Sequence, residues 1–208
     1  YMKGKGDIAP GSFAGRNFHF GVREHGMGSI LNGLALYGGF IPFGATFLVF
    51  ADYMRPPIRL ASLMKQQVVY IFTHDSIFVG EDGPTHEPVE QVSSLRLIPD
   101  LTVIRPAAGA EVAAAWAWAL RHQDGPTALI LTRQGVPIIE RQAPFSFEAF
   151  NKGAYVVAET ADRAPEVVLI GTGSELQFAL AAKVALESEG RAARVVSMPS
   201  RELFMRQD

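Results

Sequence analysis

Three stretches of this sequence carry side chains able to do chemistry at spacings that would bring them together. The densest runs His74-Asp75-Ser76-Ile77-Phe78-Val79-Gly80-Glu81-Asp82-Gly83-Pro84-Thr85-His86-Glu87. Two imidazoles and several carboxylates in one polar loop can exchange protons with a substrate or hydrogen-bond a polyol, because histidine titrates near neutrality and carboxylates accept strongly. A solvated turn punctuated by Asp82-Gly83-Pro84 is the alternative, and spacing alone leaves both readings open. A zinc site from His74, Asp82 and His86 is a less favoured third. The second stretch is Gly21-Val22-Arg23-Glu24-His25-Gly26, where Glu24 reads as a dipole-stabilising acid at a helix start and Arg23 as its ion-pair neighbour. The third is Phe47, Phe50 and Tyr53, spaced by three, a pattern that serves core packing more often than a ligand platform. Arg133 follows an apolar run and would face the same edge, where a guanidinium can hold phosphate through two points.

These residues need elements to position them. Met27, Ile30, Leu31 and Leu34 follow helical spacing up to Gly38-Gly39. Short β-branched and aromatic runs at 17–21, 46–50, 68–73, 101–104 and 128–132 read as strands. Helices are expected at 57–66, where Pro56-Pro57 suits a helix start, and at 89–97 and 110–122. Strands alternating with helices imply an α/β fold whose parallel sheet is covered by helices on both faces, with ligands at the carboxyl ends of the strands. The pattern lapses near Pro144 and Phe145, Phe147 and Phe150, then resumes with strands at 154–158, 167–170 and 194–197 and a helix at 175–189. That second unit is too short to complete an α/β domain, so it reads as truncated. Gly171-Thr172-Gly173-Ser174 is expected to be a tight strand-to-helix turn with Ser174 as N-cap, ahead of an anion-binding reading.

Composition narrows the function classes. With 19 Lys+Arg against 21 Asp+Glu the formal net charge is −2, which argues against binding nucleic acid or an acidic membrane. Only 19% of residues are charged and 48% are hydrophobic, so much surface is expected to be buried or to meet a partner. There is no cysteine, which removes disulfides, thiolate metal sites and cysteine nucleophiles. The uncharged run from Gly26 to Ala51 is long enough to span a membrane, but Asn32, Gly38-Gly39, Pro42 and Gly44 break it. The chain opens on Tyr1 without a signal-peptide pattern, so it reads as cytoplasmic and as a piece of something longer. The third glycine of a dinucleotide fingerprint is missing after Gly26-Met27-Gly28, and no phosphate loop, nucleophile elbow or His-Glu-x-x-His occurs.

Taken together, Gly21-Val22-Arg23-Glu24-His25, Thr46-Phe47-Leu48-Val49-Phe50, His74-Asp75-Ser76-Ile77, Gly80 to His86 and Ser197-Met198-Pro199-Ser200 resemble the transketolases, which depend on thiamine diphosphate. The resemblance spans essentially the whole chain. It implies a pyrimidine-binding domain over 1–141 lacking its first strand, a linker over 142–152, and the first half of a C-terminal domain over 153–208. The implied reaction moves a two-carbon ketol unit from a ketose phosphate to an aldose phosphate, as in the pentose phosphate pathway. A dihydroxyacetone synthase-like ketol transferase and a non-catalytic α/β binding module are the alternatives. The resemblance assigns Glu24 to the ring nitrogen of the cofactor's aminopyrimidine, and Phe47, Phe50 and Tyr53 to the pocket holding that ring. It assigns His74 and Arg133 to the sugar phosphate, Asp82 to a substrate hydroxyl, and His86 to the neighbourhood of the reacting oxygen, where it and Glu24 are the catalytic pair. The diphosphate and its magnesium or calcium belong in this family to a separate N-terminal domain, so no metal ligand is expected here and the chain alone is expected to be inert. A homodimer with the cofactor between subunits is implied. The chain departs from the family at Phe78, where a small residue is expected, and at Gly135-Val136, where Asn-Leu is expected.

Overall fold

The computed structural model describes residues 2–207. Its first unit contains α1 (Glu24–Tyr37), β1 (Phe43–Phe47), α2 (Ala51–Leu63), β2 (Val69–Thr73), α3 (Gln91–Leu95), β3 (Thr102–Ile104), α4 (Gly109–Arg121) and β4 (Thr127–Leu131). The strands form one parallel sheet in the order β1-β2-β4-β3. Alternation along each strand divides the core. Tyr70, Phe72, Val103, Ala128 and Ile130 face α1 and α2, packing with Met27, Leu31, Met54 and Ile58. Val69, Ile104 and Leu129 face the other way, against Ala114, Ala115 and Ala119 of α4. Gly28 permits the close approach of α1 to α2, since a Cβ there would lie 2.8 Å from Pro57 and 2.9 Å from Met54. Across that contact Asn32 donates to the Pro57 carbonyl at 2.8 Å and accepts from the Tyr70 hydroxyl at 3.2 Å, which satisfies a buried amide.

The second unit contains β5 (Tyr155–Glu159), β6 (Val167–Gly171), α6 (Leu176–Ser188), β7 (Ala193–Ser197) and α7 (Arg201–Phe204). Its sheet runs β5-β7-β6, with β6 parallel and β5 antiparallel to β7. Between the units lies α5 (Phe147–Asn151), capped by Ser146. Its Phe150 is fully buried among Leu129, Ile104 and the alanines of α4, so the connection is packed onto the first unit.

The strand expected at 46–50 lies at Phe43–Phe47, since Leu48–Phe50 turn in a 3-10 helix, and three further expectations are corrected. Residues 17–21 form no strand; the segment has only an isolated bridge between Asp7 and Asn17. A cavity of about 850 Å³ separates it from the edge of β1, and a strand without a neighbour has no ladder to join. The Pro56-Pro57 pair does not open its helix, because a 3-10 turn at Leu48–Phe50 runs directly into α2 and places both prolines inside it. The carbonyls that thereby lose a donor belong to Asp52 and Tyr53, both exposed residues. Ser174 is not an N-cap either: it is buried with its hydroxyl unpartnered, inside a 3-10 turn over Gly173–Glu175. No helix among the described residues is long and apolar enough to cross a membrane.

The two units are stapled at Glu111, which is wholly buried in α4. Its carboxylate accepts from the Tyr155 hydroxyl at 2.6 Å, the Ser197 hydroxyl at 2.7 Å and the Ala107 amide at 2.8 Å, with the Arg141 guanidinium 3.6 Å away. Burial, and then the charge of Glu111, push the Tyr155 phenol above its ordinary range. Removing one member of such a set leaves the others buried and unpaired, so Glu111→Ala is expected to destabilise the chain by about 3–5 kcal/mol. Urea denaturation measures this; a loss under about 1 kcal/mol would mean that the staple contributes little.

Candidate active site

Phe47, Thr73 and Leu131 end their strands at one edge of the sheet, as parallel pairing requires. Past Phe47 the chain turns through Leu48–Phe50 into α2, and spacing by three carries Phe47, Phe50 and Tyr53 along one side. Their rings follow one another at centroid separations of 6.3 and 6.0 Å. His74 stacks on Phe47 at 3.9 Å, while His86 stands edge-on to both Phe47 at 6.2 Å and Phe50 at 5.5 Å. Two residues distant in sequence, His74 and His86, thus close one aromatic cluster with the first two rings. The core-packing reading of that triplet fails, since Phe47 and Phe50 are half-buried and Tyr53 is exposed.

Each histidine follows a threonine that engages it. Thr73 Oγ1 lies 2.5 Å from His74 Nδ1, and Thr85 Oγ1 lies 2.8 Å from His86 Nδ1. Occupying Nδ1 leaves Nε2 to meet a ligand. His74 also has φ +63°, a left-handed conformation that non-glycine residues adopt only where their surroundings hold them. Those surroundings include Asp75, which is buried and bound through Oδ2 to Arg105 Nη2 at 2.6 Å. Ser76 caps the 3-10 segment Ile77–Asp82, and Gly80 and Gly83 take the positive φ values that turn the loop back toward His86.

Arg133 lies against this loop, with Nη2 3.4 Å from Glu81 Oε1. Glu81 is 86% exposed, so the pair contributes about 0–1 kcal/mol. A two-point contact with phosphate is stronger, and Arg133 is free to exchange Glu81 for such an anion. Asp82 is exposed at the end of the 3-10 segment, on the same loop as both histidines. The zinc reading fails, because among the described residues no three His, Asp or Glu side chains converge to hold a metal.

Glu24 opens α1, where a negative charge complements the helix dipole. It is half-buried and receives the Thr46 hydroxyl at 3.5 Å. Arg23 turns away and donates to the Phe20 carbonyl at 2.9 Å. Glu24 and Thr46 belong to the wall of the 850 Å³ cavity, and Phe47, the next residue of β1, begins the aromatic row. A half-buried carboxylate beside a run of aromatic faces suits a flat heteroaromatic ring that both stacks and hydrogen-bonds.

Two polar residues of this edge are not distinguished by sequence. Arg105 directly follows β3, much as Arg133 follows β4, and Asp75 adjoins His74. Burial separates them from their neighbours, and burial is not a local property of sequence. Phe78, where a small residue is expected, has a packing partner in Phe178 of α6, ring centroids 5.9 Å apart. Gly135 sits in open space, and nothing in the structure bears on the asparagine expected there.

The family model described as transketolase, pyrimidine binding domain, matches residues 2–138, and that for the transketolase-like C-terminal domain matches 153–208. The transketolase of Geobacillus stearothermophilus is 55% identical over 203 residues, which are 98% of this chain and 30% of the relative. A transketolase structure from Leishmania mexicana superposes with a TM-score of 0.90 at 46% identity, covering 97% of this chain and 29% of that one. One from Pichia stipitis in complex with sedoheptulose-7-phosphate gives 0.92 at 38% identity, covering 100% and 31%. The chain therefore spans about 30% of the length of the curated relatives it matches. With its parallel sheet, its loop of paired threonines and histidines and these matches over both units, the chain belongs to the transketolase family.

Proposed function

We propose that this chain forms the pyrimidine side of the cofactor site in a thiamine-diphosphate-dependent transketolase, which transfers a two-carbon ketol unit from a ketose phosphate to an aldose phosphate. The observation that carries the reading is the gathering of Glu24, the Phe47-Phe50-Tyr53 row and the two histidines around the carboxyl ends of β1 and β2. When bound, thiamine diphosphate supplies the carbon nucleophile and the electron sink of the reaction. Glu24 would hold a proton at its carboxyl for the pyrimidine ring nitrogen, and Phe47, Phe50 and Tyr53 would hold that ring. His86 stands edge-on to Phe47 and Phe50 with Nδ1 engaged by Thr85, and its Nε2 would serve the oxygen at the reacting carbon. His74 and Arg133 bind the phosphate of the sugar and Asp82 a hydroxyl. A relative crystallised with a sugar phosphate supports that substrate class.

The organisation proposed with this function is a pyrimidine-binding unit over 1–141, a connection over 142–152 and the first half of a C-terminal domain over 153–208. The first strand of the pyrimidine-binding unit would come from outside this chain and seat in the cavity between residues 17–21 and β1, whose outer edge has no strand neighbour among the described residues. The diphosphate-binding domain and its magnesium or calcium ligands would likewise lie outside it. A cytoplasmic homodimer completes the reading.

A coupled assay on the holoenzyme with xylulose phosphate and ribose phosphate tests the function, and absence of cofactor-dependent transfer would sink it. In that assay Glu24→Gln keeps the shape and removes the ionisable carboxyl, so the rate is expected to fall at least about a hundredfold; a rate within threefold of wild type would reduce Glu24 to a helix-start acid. Arg133→Ala is expected to raise the Michaelis constant for phosphorylated donors with little change in turnover, since a charge-assisted contact is lost from ground and transition states alike. Equal losses with unphosphorylated donors would refute the anchor role. Calorimetric titration of thiamine diphosphate with magnesium into the 208-residue chain should show no tight binding, and tight magnesium-dependent binding would overturn the division of the site.

A further inference from the structure

Between His74 and His86 the first unit buries little: Asp75 and Val79 are buried, whereas Ile77 is 71% and Phe78 41% exposed. Two contacts from the second unit reach the first part of this stretch, one through Arg105 to Asp75 and one directly to Phe78, and both come from the amino-terminal end of α6 or the turn that leads into it. At the root of the loop, one guanidinium nitrogen serves both units, as Arg105 Nη2 meets Asp75 Oδ2 at 2.6 Å and Glu175 Oε2 at 3.0 Å. Asp75 Oδ1 is buried with no partner, so Arg105 is the ligand on which that carboxylate relies. The second unit also holds the arginine itself. The Arg105 amide donates to the Pro199 carbonyl at 2.8 Å, and its carbonyl accepts from the Gly173 amide at 3.1 Å. Gly173, at φ +59°, lets the guanidinium lie against the turn, where a Cβ would fall 3.2 Å from Cζ. Three residues beyond Asp75, Phe78 packs on Phe178, with centroids 5.9 Å apart and planes inclined by 30°.

We propose that the start of α6 is a clamp that holds the 75–83 segment in its substrate-binding shape, with Arg105, Glu175 and Phe178 as positioning residues. The inference rests on the proposed function, in which this loop handles substrate. Its physical basis is placement. The clamp grips the residue next to His74, whose left-handed backbone must be held by its surroundings, and a residue four positions before Asp82. Phe78 thereby gives the loop an aromatic anchor on the second unit. An open loop lowers apparent substrate affinity by the fraction of protein that is closed, so the clamp acts on the Michaelis constant.

Phe178 lies outside the site and is half-exposed, which makes it the residue to vary. In the holoenzyme, Phe178→Ala should speed amide hydrogen exchange of residues 76–83 by about two- to tenfold, the worth of one aromatic pair, while β2 and β4 amides stay unchanged. The Michaelis constant for a phosphorylated ketose donor should rise by a similar factor with turnover within about twofold, and Phe178→Leu should recover most of both effects. Unchanged exchange in the loop, or exchange that rises equally through β2 and β4, would overturn the clamp. Faster loop exchange with an unchanged Michaelis constant would overturn its positioning role. If the wild-type protein showed no ketol transfer, the proposed function would fail, yet the exchange measurement would still decide whether α6 holds the loop.

Discussion

A parallel strand pair cannot be closed by a hairpin, so every strand of the first sheet must send the chain back across a face before the next can begin. That constraint gathers the carboxyl ends of β1 to β4 at one edge and makes the residues just beyond them neighbours, however far apart they stand in sequence. Phe47 ends β1, His74 follows β2, Arg105 follows β3 and Arg133 stands two residues past β4. The order β1-β2-β4-β3 sets β2 between β1 and β4, which puts the His74 loop within reach of both the aromatic row and Arg133. The candidate site is a consequence of this shared edge.

Burial then gives like residues unlike roles. Arg105 and Arg133 both sit just past a strand and both meet a carboxylate. Arg105 is enclosed and holds Asp75, itself only 2% exposed, so the loss of either partner would strand a buried charge. Arg133 faces solvent opposite an exposed Glu81, a contact weak enough to be exchanged for another anion. Structural and ligand-binding roles are separated here by solvent access and not by residue type. The carboxylates divide in the same way: Glu111 is wholly buried with partners for both oxygens, whereas Glu24 is half-buried with a single long contact from Thr46.

The second unit completes the first. Its β5 and β7 supply Tyr155 and Ser197 to Glu111 of α4, and its turn at Gly173 supports Arg105. Phe150, on the connection between them, closes the core face that α4 leaves open. These contacts are polar at Glu111 and Arg105 and apolar at Phe150. They hold the orientation of α6 relative to the sheet edge, on which the Phe78–Phe178 contact depends.

Much of the fold is legible in the sequence because it is set locally. Apolar runs such as Val69-Tyr70-Ile71-Phe72 and Ala128-Leu129-Ile130 announce buried strands, helical spacing from Met27 to Leu34 announces α1, and Gly38 ends that helix at φ +82°. The polar loop after β2 is legible as a place for chemistry for the same reason. Tertiary structure alone decides the rest. Residues 17–21 have strand composition yet no strand, because pairing requires a neighbour and β1 is separated from them by a cavity. Helix α2 starts ahead of Pro56-Pro57 because a preceding 3-10 turn overrides the usual meaning of that pair. That His74 stacks on Phe47, that Arg105 and not Arg133 takes the buried carboxylate, and that Phe78 finds Phe178 are matters of register, crossover and burial. Each of these depends on residues remote in the chain, and so no local pattern could carry them.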